Sequence, residues 1–300
     1  MTDYTWNGAA GDYLDPAQWT PAEVPLYGAG DTATIGAGAA ALRNAAPNNL
    51  TLVLGEQPGS PDPRPTLALD NAALGADLTL DAVGQALLEV VGYDTSYGTI
   101  NVLPPDAAAG FPRSDTLTVS IGAGSQLNQD GLIAVVSPET VGSRGASLFF
   151  TGGGTLNNDG QITVGPGGTA TFELRSASPY AVTGSGTITV DDATVDLFSA
   201  APTQTVDLLG GTLNTSVSLA AAIKDWDDDG RLVFGLAVGV GAVRFDQTSA
   251  EGGDLELFGI KGQPVGTLHL LGSYATEDFT VAQTRFGSSV GLTGHPPAPA

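Results

Sequence analysis

The segment Gly124–Val135 reads Gly-Ser-Gln-Leu-Asn-Gln-Asp-Gly-Leu-Ile-Ala-Val, and the segment Gly154–Val164 repeats it as Gly-Thr-Leu-Asn-Asn-Asp-Gly-Gln-Ile-Thr-Val. Matching residues lie 29 positions apart, as Asn128 and Asn157 do. A weaker third copy, Gly186–Leu197, follows. Each copy pairs two short strands, with apolar residues at alternate positions, around a polar corner. Strands that return at intervals of about 20 to 30 residues predict an all-β chain, a right-handed parallel β-helix or β-solenoid.

The same alternation predicts which side chains face the interior. Asn128 and Asn157 occupy equivalent places, so we expect them to form part of an internal amide ladder that caps backbone groups at the bends. At about 25 to 30 residues and about 4.8 Å per coil, about eight coils give a rod of about 40 Å. The predicted aliphatic stripe consists of Leu127, Ile133, Leu156, Ile162, Val164, Ile188, Val190, Val195 and Leu197.

Charge limits the partners of this chain. It has 32 acidic and 10 basic residues, a formal net charge of −22. So few scattered cations cannot form a basic patch, which argues against nucleic acid and against an anionic membrane surface. No run of about 18 apolar residues predicts insertion into a membrane. Low charge together with abundant Gly and Thr is typical of a stacked sheet.

Trp6 and Trp19 lie in the opening segment and are expected to close the first end of the solenoid, because an open end adds strands to a neighbour. An aromatic sugar platform formed by the two rings is the alternative. The predicted regions are an N-terminal aromatic cap (residues 1–38), β-solenoid repeats (39–215), an irregular β-rich C-terminal cap or small domain (216–294) and a flexible tail (295–300).

Three segments depart from the strand pattern. The Pro-rich pieces Gln57–Pro65 and Pro104–Pro112 are predicted to be loops, because proline cannot donate to a β-ladder. The segment Ser216–Lys224 is the one good helical stretch in the sequence. This segment runs directly into an acidic turn. The regular repeats are expected to end before it, at about residue 215.

The opening motif and the repeats carry a resemblance to a known group of proteins. The opening motif consists of Trp6-Asn-Gly8, Gly11-Asp12, Trp19, Pro25 and Gly30-Asp-Thr-Ala-Thr-Ile35. Repeats of the Leu-Asn-Asn-x-Gly-x-Ile type follow it. Over about residues 1–200 the chain resembles bacterial secreted β-solenoid surface proteins, which include adhesin-like and autotransporter-passenger-like chains. The resemblance implies an extracellular structural or adhesive role.

Two departures from that group concern export. The Gly-Gly-x-Gly-x-Asp repeats and the autotransporter barrel that accompany many such chains are not found in the sequence. The opening segment Met1–Gly8 has neither the basic nor the apolar region of a conventional signal peptide. The sequence therefore predicts an extracellular or cell-surface location reached without such a peptide.

The sharpest local signal is the acidic run Asp225-Trp-Asp-Asp-Asp-Gly230. Carboxylates at alternate positions of a tight loop converge on one point, and the glycine permits the turn, as calcium loops require. Asp225, Asp227 and Asp229 are therefore the candidate ligands of a Ca²⁺ ion. The twelfth loop position is Leu236 and not a glutamate, so a solvated acidic turn stays open as the alternative.

A second acidic group raises the question of an enzyme, because many β-helices cleave acidic polysaccharides with carboxylates on one strand face. Asp191 and Asp192 are adjacent and point to opposite faces of a regular strand, whereas Asp192 and Asp196 can share one. A Gly-His-Gly motif and a basic clamp do not accompany them, and Arg175 is the one nearby cation. Exposed acid on a coil corner is the preferred interpretation.

Other catalytic chemistries find little support in the composition. The chain has no cysteine, and its two histidines, His269 and His295, are far apart in sequence. A zinc site and a cysteine nucleophile are thereby excluded. His269 is predicted to be an outward strand residue. We therefore expect no catalytic residue and no enzyme.

These observations predict a non-catalytic structural or adhesive protein of a bacterial surface or biofilm matrix, with calcium as its candidate cofactor. The predicted partner is either a surface polysaccharide or further copies of the chain, since solenoid ends are unsatisfied sheets. Two alternatives stay open. A phage tail-fibre or spike protein predicts a tight trimer, and a polysaccharide-cleaving β-helix enzyme predicts a cleft near Asp192 and Asp196.

Overall fold

The computed structural model describes residues 1–55, 64–103, 116–136, 146–174, 179–235, 239–284 and 287–293. These residues wind as a parallel β-solenoid with two long sheets, A and B, and a shorter sheet C. The all-β parallel solenoid predicted from the repeats is confirmed. Within the described ranges the helical elements are two short 3-10 turns, Pro16–Gln18 and Thr276–Asp278.

Sheet A forms the first side of each coil. Ten of its 14 strands belong to the coils and stack in parallel: β1 (Asp3–Trp6), β4 (Tyr27–Ile35), β6 (Asn48–Gly55), β9 (Thr79–Val83), β12 (Thr99–Val102), β15 (Leu132–Val135), β18 (Gln161–Val164), β21 (Thr187–Val190), β23 (Thr205–Leu208) and β25 (Ala222–Lys224). Strands that stack at about 4.8 Å give a rod of about 43 Å. The described residues thus form ten coils and not the predicted eight.

Sheets B and C form the other two sides. The parallel strands of sheet B are β2 (Gly11–Asp12), β5 (Ala39–Arg43), β7 (Thr66–Asp70), β10 (Gln85–Val90), β13 (Thr116–Ile121), β16 (Ser147–Gly152), β19 (Thr169–Leu174), β22 (Thr194–Leu197), β24 (Thr212–Thr215) and β26 (Arg231–Gly235). Those of sheet C are β8 (Ala73–Leu74), β11 (Tyr93–Ser96), β14 (Gln126–Gln129), β17 (Thr155–Asn158) and β20 (Val182–Thr183). Sheet C is therefore confined to the middle of the rod.

The strand register confirms the repeat seen in the sequence. Asn128 lies beside Asn157, and Ile162 lies beside both Ile133 and Ile188. The number of residues per coil is not constant, however. It ranges from 17 between Val206 and Ile223 to 33 between Ile100 and Ile133, because only strands and corners need to stack. The predicted period thus describes only some of the coils.

The extra residues of the long coils lie mostly between a sheet A strand and the next sheet B strand. Residues 104–115 separate β12 from β13, and residues 137–145 lie between β15 and β16. The predicted loop Pro104–Pro112 falls outside the described residues, as does Gln57–Pro65 apart from its last two residues, and so does the predicted tail 295–300.

The predicted aliphatic stripe is confirmed, since all nine of its side chains are fully buried. The prediction of an internal amide ladder at Asn128 and Asn157 is wrong, and the buried amide of the neighbouring Gln129 has no hydrogen-bond partner among the described residues. Asn128 and Asn157 point outward, and the Nδ2 of Asn157 lies 3.4 Å from the Oδ1 of Asn128 on the outer face of sheet C. The interior positions belong to their neighbours Gln129 and Asn158, because residues on one strand face alternate.

Polar side chains therefore line the inside of sheet C. The Nδ2 of Asn158 donates to the Oε1 of Gln204 (3.0 Å), and the Nε2 of Gln204 donates to the carbonyl oxygens of Asn158 (2.6 Å) and Thr183 (3.0 Å). Asp94 is also fully buried, and its Oδ1 accepts from the backbone N–H of Ala72 (2.7 Å). Its Oδ2 has no hydrogen-bond partner among the described residues. Burial raises the pKa of the Asp94 carboxyl above its ordinary value.

We expect the substitution Asp94→Asn to stabilise the protein at neutral pH. A carboxyl whose pKa is higher in the folded than in the unfolded state loses stability as the pH rises, since its ionised form is disfavoured inside the fold. Asparagine keeps the acceptor for Ala72 without a charge. The gain over wild type, measured as the denaturation midpoint, should shrink as the pH falls through the raised pKa of the folded Asp94 carboxyl and vanish below about 4, the ordinary value of an unfolded aspartate.

The matched control is Asp77→Asn, at an exposed aspartate in the turn before β9. Its midpoint should stay close to that of wild type at both pH values. A loss of stability in Asp94→Asn at neutral pH, with Asp77→Asn unchanged, would show that Asp94 is stabilising as an anion and would contradict the argument from burial.

The aromatic cap predicted at the first end is confirmed. The Trp19 ring is 1% exposed and packs edge-on against the rings of Trp6 (5.1 Å between centroids) and Tyr13 (5.0 Å). The Nε1 of Trp19 donates to the carbonyl of Tyr13 (2.8 Å), and the Tyr13 hydroxyl donates to the carbonyl of Pro25 (2.8 Å). Strand β3 (Trp19–Thr20) covers β1 in antiparallel pairing. Buried rings of this kind cannot serve as a sugar platform.

The predicted helix at Ser216–Lys224 is wrong. The segment forms a turn followed by β25, which pairs in parallel with β23. Leu219, Ala221 and Ile223 are buried at alternate positions, so the hydrophobic core selects an extended chain over a helical propensity. The parallel ladders thus continue beyond residue 215, through β25 and β26.

The second end is closed by strands that turn back. These are β27 (Val240–Gln247), β28 (Gly252–Gly259), β29 (Pro264–Leu271), β30 (Phe279–Thr284) and β31 (Gly287–Leu292). Strand β31 pairs antiparallel with β26, and β27 forms the edge of sheet A. The backbone N–H groups of Val240 and Phe245 on that edge donate to the hydroxyls of Ser288 (2.9 Å) and Thr276 (3.0 Å). Side chains therefore occupy two edge donors that another strand would need.

Candidate functional site

The acidic run Asp225–Gly230 is the corner between β25 and β26. The Oδ1 of Asp227 accepts from the backbone N–H of Asp229 (3.1 Å) and of Gly230 (2.9 Å), which closes the turn. The Trp226 ring is buried against Phe279 (5.6 Å), and its Nε1 donates to the carbonyl of Gly230 (2.9 Å). The turn chemistry accounts for much of this sequence motif without a ligand.

The three candidate calcium ligands differ in their partners. The Oδ2 of Asp225 lies 3.5 Å from the Nζ of Lys224, which also contacts Asp207 (3.2 Å). Hydrogen bonding to Asp207 is the main reason that the pKa of Lys224 is raised. Asp227 is committed to the backbone, and Asp229 is exposed. In the described part of the chain no group of three or more acidic or histidine side chains is arranged to hold a metal ion. The calcium site stays a prediction.

The second acidic group is spread over a corner and a strand. Asp192 has a left-handed backbone (φ 48°) in the corner between β21 and β22. Asp196 lies on the outer face of sheet B, where its Oδ1 accepts from the Nδ2 of Asn214 (2.5 Å) and its Oδ2 from the hydroxyl of Thr171 (3.4 Å). These contacts tie Asp196 to the strands on either side. Arg175 lies outside the described residues.

His269 is an exposed residue of β29, as predicted. Its Nδ1 lies 3.1 Å from the Oδ1 of Asp254 on the neighbouring strand β28. Both side chains are 45% exposed, so this is a surface pair, which contributes little to stability. His295 lies outside the described residues.

The outer face of sheet C is the feature that sequence reasoning missed. Tyr93 and Tyr97 project from β11 and the corner after it, 67% and 51% exposed. Thr95 lies between them on the same face, and the next strands continue its row with Asn128 and Asn157. The Oδ1 of Asn157 also accepts from the hydroxyl of Thr183 (3.2 Å). Aromatic rings thus border a ladder of amides and hydroxyls.

A hollow of about 470 Å³ opens where this face meets the first coils of the rod. Asn44 and Asn71 stand at its corners, both with a left-handed backbone (φ 49° and 51°). A repeated Asn-Ala-Ala, at Asn44 and again at Asn71, is the signal in the sequence that would have located it. Its lining consists of Asn44, Ala45, Ala46, Asn71, Ala72, Ala73, Tyr93 and Thr95.

The fold and these surfaces define the chain as a parallel β-solenoid with closed ends and polar sides. No protein-family model matches the chain, and a search of curated proteins gives no match either. None of the helices in the described ranges is long and apolar enough to cross a membrane. The similarity to bacterial surface proteins stays a prediction from the motifs.

Proposed function

We propose that this chain is a non-catalytic structural or adhesive protein of a bacterial surface or extracellular matrix, and that it holds a polysaccharide along its sides. The observation that carries the proposal is a row of outward hydroxyl groups in register on sheet B. Each of five successive coils contributes one residue to this row: Thr116, Ser147, Thr169, Thr194 and Thr212. The spacing between coils is about 4.8 Å.

A second row supports the same proposal. On sheet A, four threonines on successive coils lie side by side, namely Thr32, Thr51, Thr79 and Thr99. A polymer of repeating units can make one weak contact per coil on such a surface, and contacts made by linked units reinforce one another. The hydroxyl rows therefore favour a repeating polymer over a compact ligand.

The closed ends favour contacts along the sides. The Trp19 cap covers one end of the rod, and the strands β27 to β31 cover the other. End-to-end addition of strands, which the sequence predicts for an open solenoid, would have to displace these caps. We therefore propose a polysaccharide, and not another copy of the chain, as the main partner.

The test is retention of the purified protein on insoluble polysaccharides. We expect retention on neutral polymers such as cellulose, chitin or starch, and little on acidic polymers, because the net charge of −22 repels them. No reducing ends should be released during incubation. The same assay, run with calcium and with a chelator, tests the predicted calcium site at Asp225, Asp227 and Asp229. Retention that is lost in the chelator supports the site. Equal retention under both conditions shows that polysaccharide binding does not require calcium.

Three outcomes contradict the proposal. Release of reducing ends favours the enzyme alternative, and a stable trimer by light scattering favours the fibre alternative. Absence of retention on every polymer, by a sample that melts cooperatively, removes the adhesive function itself. Heat-unfolded protein is the control for non-specific sticking.

A further inference from the structure

The hollow beside sheet C stands out because it is uncharged on a strongly acidic protein. Its lining among the described residues consists of asparagine, alanine, tyrosine and threonine, whereas the whole chain carries 32 acidic residues. The carboxylate of Asp70, next in sequence to Asn71, is paired with Arg43 (3.5 Å from its Nε). A cationic ligand and an anionic ligand would both lack a charged partner here.

The polar groups of the hollow donate and accept hydrogen bonds in fixed positions. The Nδ2 of Asn71 donates to the Oδ1 of Asp70 (3.0 Å), and the Oδ1 of Asn71 accepts from the backbone N–H of Tyr93 (3.4 Å). These two bonds fix the Asn71 side chain between two coils. Asn44 offers a second amide and Thr95 a hydroxyl, so each can pair with a ligand hydroxyl as donor or acceptor.

The apolar part of the hollow consists of an aromatic ring and methyl groups. Tyr93 is 67% exposed, and the alanines that line the hollow carry only a methyl group each. A tyrosine presents an apolar ring face and a polar tip. A sugar ring matches this arrangement, because C–H groups cover one of its faces and hydroxyl groups project from its edge.

We propose that this hollow is a binding subsite for one or two sugar units of a neutral polysaccharide, with Tyr93 as the stacking platform and Asn44, Asn71 and Thr95 as hydroxyl-binding groups. The hollow has a volume of about 470 Å³ and is shallow and widely open to solvent. An apolar ligand would displace water from the exposed Asn44 amide without replacing its hydrogen bonds, which costs binding energy. The proposal rests on the polysaccharide-binding function above and adds to the hydroxyl rows of sheets A and B a separate subsite beside sheet C.

The experiment is a calorimetric titration of the full chain with soluble neutral oligosaccharides from cellulose, chitin and starch. We expect one of the series to bind, and the substitution Tyr93→Ala to weaken that binding about tenfold or more through loss of the stacked ring. Asn44→Ala should weaken it as well. Because Tyr93 is exposed, Tyr93→Ala should keep the wild-type melting temperature. Asn44→Ala should melt somewhat lower, because alanine adopts the left-handed backbone of this corner (φ 49°) less readily than asparagine, so its affinity is measured well below its melting temperature.

The matched control is Tyr27→Ala, since Tyr27 is another exposed tyrosine (74%), which lies on sheet A beside Asn48 and is not among the residues that line the hollow. Its affinity should equal that of wild type. Equal binding by Tyr93→Ala, Asn44→Ala and Tyr27→Ala would overturn the subsite while leaving polysaccharide binding by the rod intact. Absence of binding to every oligosaccharide, together with retention on the polymers, would also overturn the subsite. Failure of both assays would remove the function and the subsite together.

Discussion

The substitution Gly160→Ala is expected to destabilise the solenoid by about 3 kcal/mol or more. Gly160 lies at the corner between sheets C and A, directly above Gly131 of the preceding coil, whose carbonyl accepts from the backbone N–H of Gln161 (2.9 Å). A Cβ on Gly160 would lie under 3.0 Å from backbone atoms of Asp130 and Gly131. Backbone cannot move aside as a flexible side chain can, so the two coils would have to separate.

Chemical denaturation of this variant beside Gly235→Ala tests the expectation. Gly235 ends β26, and no atom in the described part of the chain lies within 4 Å of a Cβ added there. Its substitution should change the free energy of unfolding by no more than about 0.5 kcal/mol. Equal stability of the two variants would show that the coils tolerate a wider spacing than the structure gives. A second, lower transition in Gly160→Ala would show that the rod unfolds in two parts on either side of the corner.

The substitution Trp19→Ala should cost about 3 to 5 kcal/mol, as the removal of a large buried ring usually does. It removes two edge-on ring contacts, with Trp6 and Tyr13, and the hydrogen bond to the Tyr13 carbonyl. Loss of the cap also uncovers the first strand edge of sheet A. We therefore expect light scattering to show concentration-dependent association of this variant under conditions that keep wild type dispersed.

The control for Trp19→Ala is Tyr27→Ala, at an exposed ring on the next strand of the same sheet. It should retain the denaturation midpoint and the dispersed state of wild type. A Trp19→Ala variant that is as stable as this control but fails to bind polysaccharide would restore the sugar-platform interpretation of the cap.

The core of the solenoid could be predicted because one physical rule determines it. Residues such as Ile133 and Ile162 repeat at the coil spacing and alternate with polar neighbours, so both register and inward direction can be derived from the sequence. The same rule would have placed Gln129 and Asn158 inside, since they share a strand face with Leu127 and Leu156. Equivalence between copies shows that Asn128 and Asn157 lie side by side, but only the alternation shows that they face outward.

Other features could not be derived from local pattern. In the segment Ser216–Lys224 the helical propensity of a run of alanines competes with an alternating pattern, and the ladder with β23 decides the outcome. A helix of that length has little stability in isolation. The hollow is assembled from Asn44, Asn71 and Tyr93, which come from three successive coils. Its shape depends on how those coils stack and not on any one segment.

The unequal lengths of the coils have a consequence for how such a chain can change. The shortest coil, from Val206 to Ile223, and the longest, from Ile100 to Ile133, each add one strand to each of sheets A and B. The height of the rod is therefore independent of how much chain is placed between neighbouring strands. New sequence can therefore be inserted at the corner between sheets A and B without moving the coils above and below it. Such inserted segments can change during evolution while the stacked strands stay the same.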